Sequence, residues 1–290
     1  MLKNNKVIVT GGAGFVGSHL VEKLIKNNCE VTVIDNYSSG SSDNHIQGAK
    51  YVSGSCAEIN SLLKNESEAD YLFHLGEYSR VENSFEDIDI VMKSNNNSFF
   101  EVLKFTKKIN AKLIYSASST RFSKGNIDEF MSPYSFTKLK NVEFLKFYSK
   151  WFGLRYCITY FYNVFGGREI SSGKYSTVIA KFLKLKKESS NKLPVVSPGT
   201  QKRNFTHVDD IVSGLLLVAE KGSGDGYGIG SDKSYSIIEI AEMLKMDYEL
   251  LPERSGNRKD SELILDSTKA LGWKANNSLK DYIDSMIHEE

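Results

Sequence analysis

The chain is poor in cysteine and proline and carries no excess of either charge. Its 290 residues include three cysteines and four prolines. Cys29, Cys56 and Cys157 stand far apart, which excludes a disulfide framework and a cysteine-rich zinc site and leaves free cytosolic thiols as the expectation. The five histidines (His19, His45, His74, His207, His288) have no metal-ligand spacing, so no metal is expected. The 37 basic residues against 36 acidic ones leave a net charge of +1. That balance creates no field for nucleic acid or for an anionic membrane surface. No apolar run approaches the roughly 20 residues that span a bilayer. The charged start after Met1 lacks the apolar stretch of a secretion signal, so a cytoplasmic location is expected.

What is present begins at the amino terminus. Lys6-Val7-Ile8-Val9-Thr10 reads as a short buried strand, Ser18 to Asn27 has helical periodicity, and Val31 to Ile34 is a second strand closed by Asp35. Between the first strand and the helix lies Gly11-Gly12-Ala13-Gly14-Phe15-Val16-Gly17. In such a turn Gly11 permits the bend, Gly14 lets backbone approach a pyrophosphate, and Gly17 lets helix and strand pack closely. The helix start supplies free N–H groups and a positive dipole end. Asp35 lies where a carboxylate accepts from both hydroxyls of a ribose; it would repel a 2′-phosphate, which favours NAD over NADP.

The alternation continues through strands at Tyr71–Leu75, Lys112–Ser116 and Arg155–Tyr160, with helices over Ile88–Lys108 and Tyr134–Trp151. The fold class is therefore α/β: a Rossmann-type doubly wound parallel sheet with a smaller α/β substrate-binding domain. Residues 1–168, rejoined by 206–231, form the first unit; 169–205 and 232–290 form the second. Helices are expected over Val178–Glu188, Ile211–Lys221 and from Ser236, whose spacing to Glu239 is that of a capping box. A last strand is expected at Gly226–Gly230.

Tyr134 and Lys138 are one helical turn apart and share a face. An ammonium beside a phenol favours the phenolate, which equips the tyrosine to take a proton. Ser118 falls just past a strand end, where ligands of such sheets bind.

Together these segments resemble the extended short-chain dehydrogenase/reductases, within the NAD-dependent epimerase/dehydratase group that acts on nucleotide sugars. Thr10 to Gly17 is similar to the family's opening and Phe73-His74-Leu75 to its fourth-strand motif; Ser118, Tyr134 and Lys138 fall on its catalytic positions. The resemblance implies a cofactor site of Gly11, Gly14, Phe15, Val16, Gly17, Asp35, Asn36, Leu75, Gly76, Asn95, Tyr134 and Lys138. Asn163, in Tyr162-Asn163-Val164-Phe165-Gly166, matches the asparagine at the substrate diphosphate; Arg203 and Arg254 match the two phosphate-binding arginines. Arg80, Val81, Glu82 and Ser84 are expected at the sugar, with Ser119 and Thr120 beside the catalytic serine. Family members pair the helices at Ile88–Lys108 and Tyr134–Trp151 into a four-helix bundle, which implies a homodimer.

The chain also departs from the family. Gly54-Ser55-Cys56 stands where Gly-Asp-Ile is usual, Gly76-Glu77 replaces Ala-Ala, Ser98-Phe99 replaces Gly-Thr, and Gly167 replaces a proline. Family 4,6-dehydratases carry Thr-Asp-Glu after the catalytic position, and decarboxylases keep a glutamate; this chain has Ser118-Ser119-Thr120. Hydroxyl groups cannot replace carboxylates in elimination at neutral pH. The expectation is therefore a 4-epimerase with retained NAD, acting on a UDP-N-acetylhexosamine, a UDP-hexose or both. A dehydratase that borrows Asp128 or Glu129, a 4-keto-reductase and a non-catalytic NAD sensor are the rivals. The sugar-gating position, a tyrosine in galactose-restricted relatives, falls on Ser261 counted from Arg254 or on Leu263 counted from Asp266.

Overall fold

The computed structural model describes residues 2–122, 131–253 and 262–288. At its centre is a sheet of seven parallel strands: β1 (Lys6–Thr10), β2 (Glu30–Asp35), β3 (Lys50–Ser53), β4 (Tyr71–His74), β5 (Lys112–Ser118), β6 (Tyr156–Phe161) and Gly224–Ile229. In space they run Gly224–Ile229, β6, β5, β4, β1, β2, β3. The winding reverses between β1 and β4, which opens a crevice at the carboxyl ends of those strands.

Both faces of the sheet are covered, and strand alternation assigns side chains to each. Val7 and Val9 pack with Leu20, Leu24, Ile211 and Leu215 on one side. Ile8, between them, packs with Phe99, Val102, Leu103 and Leu145 on the other. The helix Pro133–Phe152 starts where Ser132 accepts from the Ser135 N–H and Pro133 takes the first turn; it ends at Gly153 in the left-handed region, φ 68°. The helix Ile237–Met243 has the expected capping box between Ser236 and Glu239.

Several elements differ from the sequence expectation. The long helix at 88–108 is interrupted by a π turn over Met92–Asn97, flanked by Ile88–Val91 and Ser98–Lys108. In that wider turn the Asn95 carbonyl accepts from Asn141 Nδ2 at 2.7 Å, a partner in another helix that local periodicity does not reveal. Strand β5 runs through Ser118, so the serine is the last strand residue and pairs in register with Phe161. The last sheet strand begins two residues earlier than expected, at Gly224. Lys192–Val196 and Asp247–Leu251 form a parallel pair that the sequence reading lacked, because Pro194 interrupts the first strand's pattern. Leu193 and Val195 of that strand join Phe165, Ile179, Phe182, Phe205 and Ile240 in a third core.

Candidate active site

A cavity of about 880 Å³ opens where β1, β2, β4 and β5 end, roofed by residues from the third core. On one side stands the glycine turn. Gly11 has φ +73°, and a Cβ on Gly17 would lie 2.0 Å from the Gly11 carbonyl oxygen, so only backbone fits there. Gly11, Gly14, Phe15, Val16 and Gly17 all line the cavity. Asp35, at the end of β2, accepts from the Ala13 N–H at 2.9 Å and from the Tyr37 N–H at 2.8 Å. Asn36 lies beside it on the wall. A carboxylate has more acceptor sites than these two bonds use. A bare backbone turn at a helix start and a fixed carboxylate one strand away fit the pyrophosphate and adenosine ribose of NAD.

On the other side stand the reacting groups. Helix periodicity brings Tyr134 and Lys138 to one face, and the end of β5 brings Ser118 to the same cavity. Ser118 Oγ accepts from Thr120 Oγ1 at 3.0 Å and from the Thr120 N–H at 3.3 Å, which leaves its own O–H to donate into the cavity. Tyr134 is buried against Tyr78 and Val91. Lys138 donates to the Ser116 carbonyl at 2.6 Å and to the Glu77 carboxylate. Its ammonium also lies 5.2 Å from the centre of the Tyr115 ring.

Glu77 was named in the sequence only as a departure from alanine; its ion pair with the lysine was not foreseen. Glu77 and Glu169, neither of which the sequence reading assigns to the site, both line the cavity. The sequence signal for Glu77 is an acid two residues past the apolar run Tyr71–Leu75; Glu169, next to Arg168, gives none. The Glu169 carboxylate accepts from the Gly166 N–H at 2.9 Å, and burial pushes its carboxyl up to about 7.

Leu75 and Gly76 form the cavity floor. Asn95, expected at the cofactor, is fully buried behind that floor. Its side-chain oxygen accepts from the Tyr78 N–H at 2.8 Å and its amide donates to Thr137 Oγ1 at 3.0 Å. The loop after β4 places Arg80, Val81 and Glu82 on the wall, whereas Ser84 is buried and donates to the Val81 carbonyl. Arg80 Nε and Nη2 both donate to the Tyr175 carbonyl, at 3.1 and 2.6 Å. Ser119, Thr120, Asn163 and Arg203 line the same space. Leu263 packs against the sheet core instead. Arg254, Ser261, Asp128 and Glu129 lie outside the described residues. Among the described residues no cluster could hold a metal ion, and no helix is long and apolar enough to cross a membrane.

Comparison with known proteins gives the same picture. The profile of the NAD dependent epimerase/dehydratase family matches residues 7–230. The UDP-glucose 4-epimerase of Thermotoga maritima, solved with UDP-glucose, is 28% identical over 98% of this chain and 97% of its own, with a TM-score of 0.87. The UDP-N-acetylglucosamine 4-epimerase of Methanobrevibacter ruminantium M1, in complex with UDP-N-acetylmuramic acid, is 26% identical over 100% of both chains, with a TM-score of 0.88. UDP-glucuronic acid decarboxylase 6 of Arabidopsis thaliana is 29% identical over 98% of this chain and 88% of its own. A glycine turn fitted to a dinucleotide, a serine, tyrosine and lysine on one cavity, and a family match across most of the sequence lead to one conclusion: the chain belongs to the NAD-dependent epimerase/dehydratase family.

Proposed function

We propose that the chain is a UDP-sugar 4-epimerase that works by transient oxidation at C4, on a UDP-N-acetylhexosamine, a UDP-hexose or both. The observation that carries this reading is the convergence of Ser118, Tyr134 and Lys138 on the cavity that also contains the glycine turn and Asp35. Neither Ser119 nor Thr120 supplies the carboxylate that elimination needs. Bound NAD supplies a reversible hydride acceptor for the sugar carbon. Gly11 to Gly17 and Asp35 would hold it, with Leu75 and Gly76 beneath. Tyr134, as phenolate, takes the proton of the 4-hydroxyl and later returns it. Ser118 donates to the same oxygen and stabilises the charge that develops there. Arg203 and Asn163 grip the diphosphate, and Arg254 joins them by family resemblance. The sugar then turns about its diphosphate linkage and presents its opposite face.

In this reading residues 169–205 and 232–290 act as the substrate-binding domain. The working form is a homodimer joined through the helices at 88–108 and 133–152. Their outer faces expose Ile90, Phe100, Phe147 and Trp151, the last of these 61% exposed, which is costly for a lone monomer.

A second reading, elimination to a 4-keto-6-deoxy sugar, draws on Glu169, a carboxyl that titrates near neutrality on the cavity wall. Incubating the purified protein with UDP-N-acetylglucosamine and with UDP-glucose, without added cofactor, separates the two readings. The 4-epimers should form and be visible by NMR. A 4-keto-6-deoxy product would replace the epimerase assignment with a dehydratase.

A further inference from the structure

We propose that Glu77 is a positioning residue: its carboxylate fixes the Lys138 ammonium and offsets the ammonium's field at Tyr134. The inference rests on the proposed roles of Tyr134 and Lys138 and extends them to a residue that does not touch the sugar.

The geometry is a closed set of donors around one buried carboxylate. Glu77's side chain is 1% exposed and ion-paired with Lys138. Asn141 Nδ2 donates to Oε1 at 2.9 Å, and the Tyr115 hydroxyl donates to Oε2 at 3.1 Å. His74 approaches from β4, with Nε2 3.5 Å from Oε1. Its Nδ1 is hydrogen-bonded to Thr10 Oγ1 at 2.7 Å. Donors on the helix Pro133–Phe152 and on β5 therefore favour the charged carboxylate. Burial raises the Glu77 carboxyl, but Lys138 and His74 outweigh it and hold it below the ordinary value.

This arrangement has two consequences. An ammonium has three protons. In Lys138 one goes to Glu77 and one to the Ser116 carbonyl, which leaves one for the cavity. The lysine is thus held at a fixed angle whether or not a ligand is bound. The pair is also neutral overall, so Tyr134 feels less positive field than a lone ammonium would exert. Among the described residues this assembly is also faced by Arg80, which acts on Tyr134 from the loop after β4, by Tyr78, which packs on Tyr134 and donates to Asp87 at 2.8 Å, and by Cys56, whose thiol is pushed up to about 12 by burial and stays uncharged.

The test is a titration of Tyr134 that needs no substrate. Tyrosinate absorbance is recorded against pH for the holoenzyme and for Glu77→Gln, each minus its Tyr134→Phe counterpart and at equal NAD content. Glu77→Gln should move the Tyr134 midpoint about one pH unit lower, and Glu77→Asp, which keeps the charge, should return it toward the parent. Glu77→Ala gives a second neutral variant and should shift it in the same direction, so the test survives a fold that rejects the amide. A Tyr134 midpoint that stays in place or rises in both neutral variants, with only thermal stability lowered, would overturn the proposal. Failure of the protein to epimerise any UDP-sugar would count against the proposed reaction and leave this titration as decisive as before.

Discussion

The Cys56 thiol lies 3.6 Å from the Gly76 carbonyl oxygen and fills the space that a side chain at residue 76 would need. A Cβ built on Gly76 would come within 2.9 Å of Cys56 Sγ, 3.0 Å of the Gly11 nitrogen and 3.1 Å of Thr10 Oγ1. Two departures from the family pattern, a cysteine in the loop after β3 and a glycine in the floor, thus meet at one contact. Gly76→Ala should destabilise the protein by about 1–3 kcal/mol through overpacking. Adding Cys56→Ala should recover part of that loss, because only the backbone and Thr10 contacts would remain. Chemical denaturation of both single variants and the double variant measures the coupling, and strictly additive effects would contradict it.

Tyr134→Phe should abolish turnover of UDP-sugars while leaving thermal stability and bound dinucleotide close to the parent. Ser118→Ala should lower kcat by about two orders of magnitude, the scale of a lost oxyanion donor. Steady-state assays beside thermal melts check both; retained turnover in Tyr134→Phe would remove it from the chemistry.

Glu169 gives stability a pH dependence of known sign. Its folded carboxyl keeps a proton up to about pH 7, while the unfolded chain releases it near the ordinary value of 4.5. Its contribution is therefore complete below the unfolded value and is lost as pH rises through about 7. Between about pH 5 and 8, Glu169→Gln should fall in stability less than the parent does. The difference should be on the order of 2 kcal/mol, read from denaturation midpoints across that range. Parallel curves for the two proteins would refute this.

Asp210, buried at 2% exposure, ties the carboxyl-terminal segment to the sheet unit. It accepts from the backbone N–H of Asn276 at 3.1 Å and of Asn277 at 2.9 Å, and from Asn277 Nδ2 at 3.0 Å. Asp210→Ala should cost about 3 kcal/mol, since buried donors would be left without a partner. Proteolysis should then cut first after residue 262. Unchanged stability would show that water replaces the carboxylate.

The parts of the site that follow from short-range pattern were legible in the sequence. The glycine turn, Asp35 and the Tyr134–Lys138 pair each need only neighbours in the chain or one helical turn, and the structure brings all of them to one cavity. What was not legible depends on distant segments meeting. Glu77 and Lys138 are 61 residues apart. The Asn95 side chain is spent on Tyr78 and Thr137 through a π turn that propensity does not encode. The Glu169 carboxyl is raised only because the fold buries it. The strand at Lys192–Val196 was missed because its proline masks the alternation.

The most direct measurement uses a UDP-sugar deuterated at C4, incubated with the holoenzyme and followed by NMR and mass spectrometry. The account predicts that the 4-epimer forms with its deuterium still at C4, because the hydride never leaves the protein. Epimer formed with protium from solvent at C4 would contradict it.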